Sequence, residues 1–194
     1  YTGFIDRSDG VSAFGHQMRG QYLLQTGRYE DAVADLTLAI DTEPDTIGAR
    51  AFYLRAIALM QLGEYDRATE DLSVGVAAVD AAEAAGNTAS LDADVALSRY
   101  YRAISAMQVA RYAEAIADLD ACVDAGVNRE YSMFWRGTCL LETAEYERAR
   151  KDFKACLEAE VETAASLYYI GLCEMGLTQY EAAVETFTAC IENN

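Results

Sequence analysis

Apolar and small residues recur along this chain in a fixed order. Tyr29-Glu-Asp-Ala32, Tyr65-Asp-Arg-Ala68, Tyr112-Ala-Glu-Ala115, Tyr146-Glu-Arg-Ala149 and Tyr180-Glu-Ala-Ala183 each run from a tyrosine to an alanine. Four residues after the alanine stands Leu36, Leu72, Leu119, Phe153 or Phe187, and three further on a small residue, Ala39, Gly75, Cys122, Cys156 or Cys190. Nine residues before the tyrosine stands Gly20, Ala56, Ala103, Gly137 or Gly171. The position just ahead of the tyrosine reads as a turn and holds Gly27, Gly63, Ala110, Ala144 or Thr178. Steps of three and four residues are helical, so each copy predicts a helix A, a tight turn and a helix B that starts near the tyrosine.

In an antiparallel hairpin, residues equidistant from the turn face each other. That pairs Gly20 with Ala32, Ala56 with Ala68, Ala103 with Ala115, Gly137 with Ala149 and Gly171 with Ala183. Small residues on both sides let the two helices approach closely. The Leu or Phe on the same face of helix B fills the core. A second symmetric pairing carries charge. Arg19, Arg55, Arg102 and Arg136 precede Asp35, Asp71, Asp118 and Asp152 by sixteen residues each, which predicts a bidentate, partly buried bridge between helices A and B. The fifth copy has Ile170 and Thr186 instead, so both partners leave together. One without the other would strand a buried charge.

The tyrosine spacings are 36, 47, 34 and 34. The pattern resembles the tetratricopeptide repeat, W-x2-L-G-x2-Y…A-x3-F…P over about 34 residues. Registered on it, the copies cover 13–46, 49–82, 96–129, 130–163 and 164–194. The opening Trp is replaced by His16, Phe52, Arg99, Met133 and Leu167, and the closing Pro survives only as Pro44. The resemblance implies an all-α fold: a right-handed superhelical solenoid of antiparallel helix hairpins, with helix A lining a concave groove. It implies that groove residues come from fixed repeat positions. Position 5 gives Gln17, Tyr53, Tyr100, Phe134 and Tyr168. Position 9 gives Gln21, Ile57, Ile104, Thr138 and Leu172, and position 12 gives Leu24, Met60, Met107, Leu141 and Met175. Position 6, beside the groove, gives Tyr101, Trp135 and Tyr169. This stripe is aromatic and aliphatic, and it competes with an inter-repeat core for the same side chains. The family's clamp of Lys, Arg and Asn for acidic C-terminal tails has no counterpart at these positions, so that function is not carried over.

The second spacing holds thirteen extra residues, placed around 83–95. Val76 to Ala85 reads as an extension of helix B, Gly86-Asn87-Thr88 as a turn, and Ser90 or Asp92 as the cap of the next helix. Residues 1–12 read as an N-terminal tail with a turn signal at Ser8-Asp9-Gly10. The first residue is not Met, and no polar helix follows the fifth copy. These features raise two further expectations. One is a non-catalytic targeting or regulatory region of a larger enzyme or exported lipoprotein. The other is self-association through the C-terminal end.

Charge narrows the partners. Fifteen basic against thirty-two acidic residues leave a net −17, which disfavours nucleic acid and anionic membrane surfaces. No apolar run approaches the roughly 20 residues of a membrane span. The five cysteines are an odd number, and they occupy equivalent small, buried positions: Cys122, Cys156 and Cys190, then Cys139 and Cys173. There is no C-x-x-C and only one histidine, His16, placed at a helix-packing position, so neither a metal nor another cofactor is expected. Reduced thiols favour a cytoplasmic home, with an exported or lipid-anchored form as the alternative. No nucleotide, nucleophile-elbow or zinc-protease motif is present. The sequence therefore points to a non-catalytic scaffold that binds a protein or peptide segment in its aromatic, apolar groove.

Overall fold

The computed structural model describes residues 6–43, 48–88 and 92–193. Those residues form helices joined by short turns: α1 (Asp6–Gln25), α2 (Tyr29–Thr42), α3 (Gly48–Gln61), α4 (Tyr65–Ala84), α5 (Ala93–Ala96), α6 (Ser98–Gln108), α7 (Tyr112–Ala125), α8 (Arg129–Glu142), α9 (Tyr146–Glu158), α10 (Thr163–Gly176) and α11 (Tyr180–Glu192). Each of the repeat tyrosines opens a helix B. The chain divides into two compact units, one ending at Ser105 and the other starting at Ala106, with the boundary inside α6.

The turns explain why the hairpins close. Gly27 and Gly63 take left-handed backbone angles, φ +75° and +78°. Arg28 N–H donates to the Leu23 carbonyl (2.9 Å) and Gly27 N–H to the Leu24 carbonyl (3.2 Å), the two bonds that satisfy a helix C-terminus. Ala110, Ala144 and Thr178 adopt the same left-handed angle, φ +57°, +61° and +60°, without a glycine's freedom.

In the first unit, α1 packs on α2, α2 on α3, and α3 on α4. Leu36, Tyr53, Leu54, Leu59 and Leu72 form the core. In the second unit α7 to α11 pack in sequence order around Phe134, Leu140, Phe153, Cys156, Ile170 and Cys173. The small helix-A residues are small because a side chain of helix B occupies their space. A Cβ on Gly20 would lie 2.6 Å from Leu36, one on Gly137 2.9 Å from Phe153, and one on Gly171 2.5 Å from Phe187.

One stretch differs from the sequence reading. Ser8, Asp9 and Gly10 lie inside α1, not in a turn, so the tail reading of 1–12 is corrected from Asp6 onward. The turn residues and the three glycines of α1 do not outweigh helix propagation from the hairpin. In the insertion, helix, turn and cap follow in the order read from the sequence. α4 runs to Ala84, and Gly86 turns the chain with φ +65°. Asp92 caps α5 by accepting from Asp94 N–H at 2.9 Å. Arg50 of α3 then bonds Asp92 and Asp94 at 3.0 Å each, while Val95 is buried. Ser90 and Pro44 lie outside the described residues.

Candidate functional site

The Arg–Asp pairs are both hairpin clips and ties between hairpins. Arg55 donates Nε and Nη2 to Asp71 at 2.7 Å each, and Arg136 does the same to Asp152. Arg19 grips Asp35 in the same bidentate way, and His16 adds a contact of 3.3 Å to the same carboxylate. The Arg19 guanidinium holds the Asp35 carboxyl below its ordinary range, against the opposing effect of burial. Arg102 lies in the first unit and Asp118 in the second, and their pairing stays an expectation of the repeat spacing.

The remaining guanidinium nitrogen reaches the preceding hairpin, a relationship the sequence reading missed. Arg55 Nη1 donates to Thr37 Oγ1 (3.1 Å), Arg102 Nη1 to Ser73 Oγ (3.2 Å) and Arg136 Nη1 to Asp120 Oδ1 (2.7 Å). All three acceptors stand two residues after the repeat's aspartate. In the fifth copy Ile170 is buried where the arginine would be, and Thr186 Oγ1 donates to the buried Glu174 (2.8 Å). The signal was available in the sequence as a short oxygen-bearing acceptor at a constant offset.

The position 5 residues divide. Tyr53 and Phe134 are core residues, exposed by only 7% and 5%, and Gln17 is buried as well. Their placement in the groove is corrected, and for Tyr53 and Phe134 the cause is the position 6 ring of the following helix A. Tyr101 packs edge-on against Tyr53 (5.8 Å between centroids) and Tyr169 against Phe134 (5.8 Å). Tyr169 also stacks on Phe153 at 5.0 Å. Trp135 contacts Phe134 edge-on at 5.3 Å, and Tyr100 contacts Tyr101 at the same distance. Tyr101 and Tyr169 are thus half-buried seam residues, and Trp135 is half-buried beside Phe134. Burial also pushes the Tyr53 phenol well above its ordinary range. Gln21, Ile57, Tyr100, Ile104, Thr138 and Leu172 are half-buried.

Tyr168 is different. It is 48% exposed although it touches Tyr169 and Phe187. Tyr131, at repeat position 2 of α8, is 47% exposed and was not among the sequence candidates. Met175 at position 12 of α10 is exposed to the same degree. α8 and α10 are neighbouring A helices, and helical spacing puts Tyr131, Thr138 and Leu141 on one face of α8, with Tyr168, Leu172 and Met175 on one face of α10. The second unit therefore presents an apolar, aromatic surface without a charged side chain at those six positions.

The cysteines are packing residues. Cys139, Cys156 and Cys173 are fully buried, and burial pushes their thiols up to about 12, 11 and 11. Cys190 is half-exposed. Among the described residues no cluster of three His, Cys, Asp or Glu side chains could hold a metal. No described helix is long and apolar enough to cross a membrane.

The family model for the tetratricopeptide repeat matches residues 18–82 and 136–193, more than half of the chain. The chain belongs to the tetratricopeptide repeat family, whose hairpin arrays are in general non-catalytic protein-interaction modules. Solved structures share the fold. MamA 41-end from Desulfovibrio magneticus RS-1 superposes with a TM-score of 0.76 at 19% identity, covering 93% of this chain and 94% of that one. Another MamA crystal structure gives 0.77 at 15% identity, with coverage of 94% and 92%. YrrB, described as a TPR protein with an unusual peptide-binding site, gives 0.77 at 18% identity, covering 98% of this chain and 90% of that one. Among curated protein sequences none matches the chain.

Proposed function

We propose that this protein is a non-catalytic scaffold that holds a protein segment against the A-helix face of its second unit. The carrying observation is the juxtaposition of Tyr131, Tyr168 and Met175, each about half exposed, on neighbouring helices α8 and α10. Tyrosine supplies contact area at low entropic cost, and methionine adapts to varied partners. Thr138 and Leu172 form the floor between them. Phe134 and Tyr169 support this face from behind instead of touching the ligand. The net charge of −17 disfavours nucleic acid as the occupant and favours a segment whose apolar anchors are flanked by basic residues. The peptide-binding description of YrrB lends this reading a precedent on the same fold.

The test is a titration with a peptide selected from a random library against the 194-residue chain. Tyr131→Ala with Tyr168→Ala is expected to weaken it by more than tenfold, with unchanged helicity, as for hot-spot aromatics worth about 2 kcal/mol each. Equal binding by the double variant overturns the assignment.

A further inference from the structure

Positive charge in this chain is mostly spent on its own carboxylates. Arg28 holds Asp31, Arg67 holds Glu64, Arg148 holds Glu145, and Arg99 holds both Asp80 and Glu83. The two lysines of the sequence, Lys151 and Lys154, are among the exceptions, as is the exposed Arg129 of α8. Both lysines are exposed on α9 and hold no carboxylate among the described residues. Arg150, beside them, donates to the neutral amide oxygen of Gln179 (2.5 Å).

These three cations line one open depression of about 450 Å³ along α9, with Glu147 and Glu158 at its ends. Lys151 also borders a second depression, of about 150 Å³, which holds Arg136 and Arg148. The repeat explains why Lys154 is available. It stands where Thr37, Ser73 and Asp120 accept a bond from the next hairpin's arginine. After α9 the next hairpin offers Ile170, so an acceptor is not needed and the position carries a cation outward.

We propose that the α9 face carrying Arg150, Lys151 and Lys154 is a docking surface for a carboxylate-rich protein segment, separate from the apolar face of α8 and α10. Lys151 and Lys154 lie one helical turn apart, a spacing that matches acidic side chains on one face of a partner helix. Lysine ammoniums are point charges on flexible stems and accept carboxylates from many directions. The flanking Glu147 and Glu158, with the overall negative charge, oppose the continuous phosphate backbone of a nucleic acid.

Fluorescence anisotropy of a labelled, glutamate-rich helical peptide with the full 194-residue chain tests this. At low ionic strength the wild type is expected to bind, and Lys151→Gln with Lys154→Gln to weaken binding about tenfold, as for two or three exposed ion pairs. Raising the salt should abolish binding, because the charges lie at the surface. Lys151→Arg with Lys154→Arg should keep it, and Tyr131→Ala with Tyr168→Ala should leave it unchanged. No binding by the wild type at low salt, equal affinity in the Gln variant, or displacement of the peptide by single-stranded RNA would overturn the proposal.

Discussion

Arg136 and Asp152 are joined by two parallel hydrogen bonds of 2.7 Å across the α8–α9 hairpin. Their side chains are 17% and 7% exposed, so the Asp152 charge depends on Arg136 for its solvation, while Arg136 also holds Asp120. Removing one partner of such a buried pair costs about 3–5 kcal/mol, whereas replacing both by well-packed residues costs far less. Asp152→Ala is therefore expected to destabilise the fold by about 3 kcal/mol. Arg136→Ile with Asp152→Thr, the residue types of the fifth copy, should recover most of that loss. Chemical denaturation of the three proteins checks it; a double variant no more stable than Asp152→Ala would contradict it.

The turns make a prediction of opposite sign. Ala144 sits at φ +61°, a conformation that costs a non-glycine residue about 1 kcal/mol. Ala144→Gly should raise stability by up to that amount. Gly27→Ala, at φ +75°, should lower it by a similar amount, since nothing crowds its Cβ and backbone strain alone acts. Thermal melts of the two variants should move in opposite directions.

Acid should loosen the first hairpin through Asp35. Its carboxyl is held below the ordinary 3.8, first by the hydrogen bond from Arg19. A carboxyl with a depressed native pKa contributes stability that is fully present above the unfolded value and lost as pH falls through the native one. The stability difference between wild type and Asp35→Asn should therefore be largest near neutral pH and shrink below about pH 4. A difference that stays constant into acid would exclude this linkage.

Thiol reactivity separates packing cysteines from an accessible one. Cys139, Cys156 and Cys173 are buried with thiols pushed to about 12, 11 and 11, and so stay protonated and shielded at mildly alkaline pH. Cys190 is half-exposed. Alkylation of the native protein should label Cys190 first, and the four buried cysteines, Cys122 included, only on unfolding, as peptide mass mapping would record.

Much of this architecture is legible in the residues. The tyrosines mark where every helix B begins, and the Gly–Phe close approaches at Gly137 and Gly171 follow from a side-chain period that any hairpin imposes. The site is less legible because its positions straddle two environments. Position 5 lies at the edge between the groove and the inter-repeat seam. Tyr53 and Phe134 fall inward because Tyr101 and Tyr169 cover them, whereas Tyr168 touches Tyr169 and Phe187 and is half exposed. Tyr131 escaped notice because position 2 is aromatic only in the first and fourth copies, as Phe14 and Tyr131, and no pattern runs through the other three. The ties from Arg55 and Arg136 were hidden for another reason: Thr37 and Asp120 share an oxygen acceptor but not a residue type.

The most direct test of the central claim is a pull-down from lysate of the native cells, comparing the wild-type chain with Tyr131→Ala/Tyr168→Ala by mass spectrometry. The account predicts a protein recovered by the wild type and lost from the variant, with both chains equally helical. Recovery of the same proteins by both chains would contradict it and take the binding site away from α8 and α10.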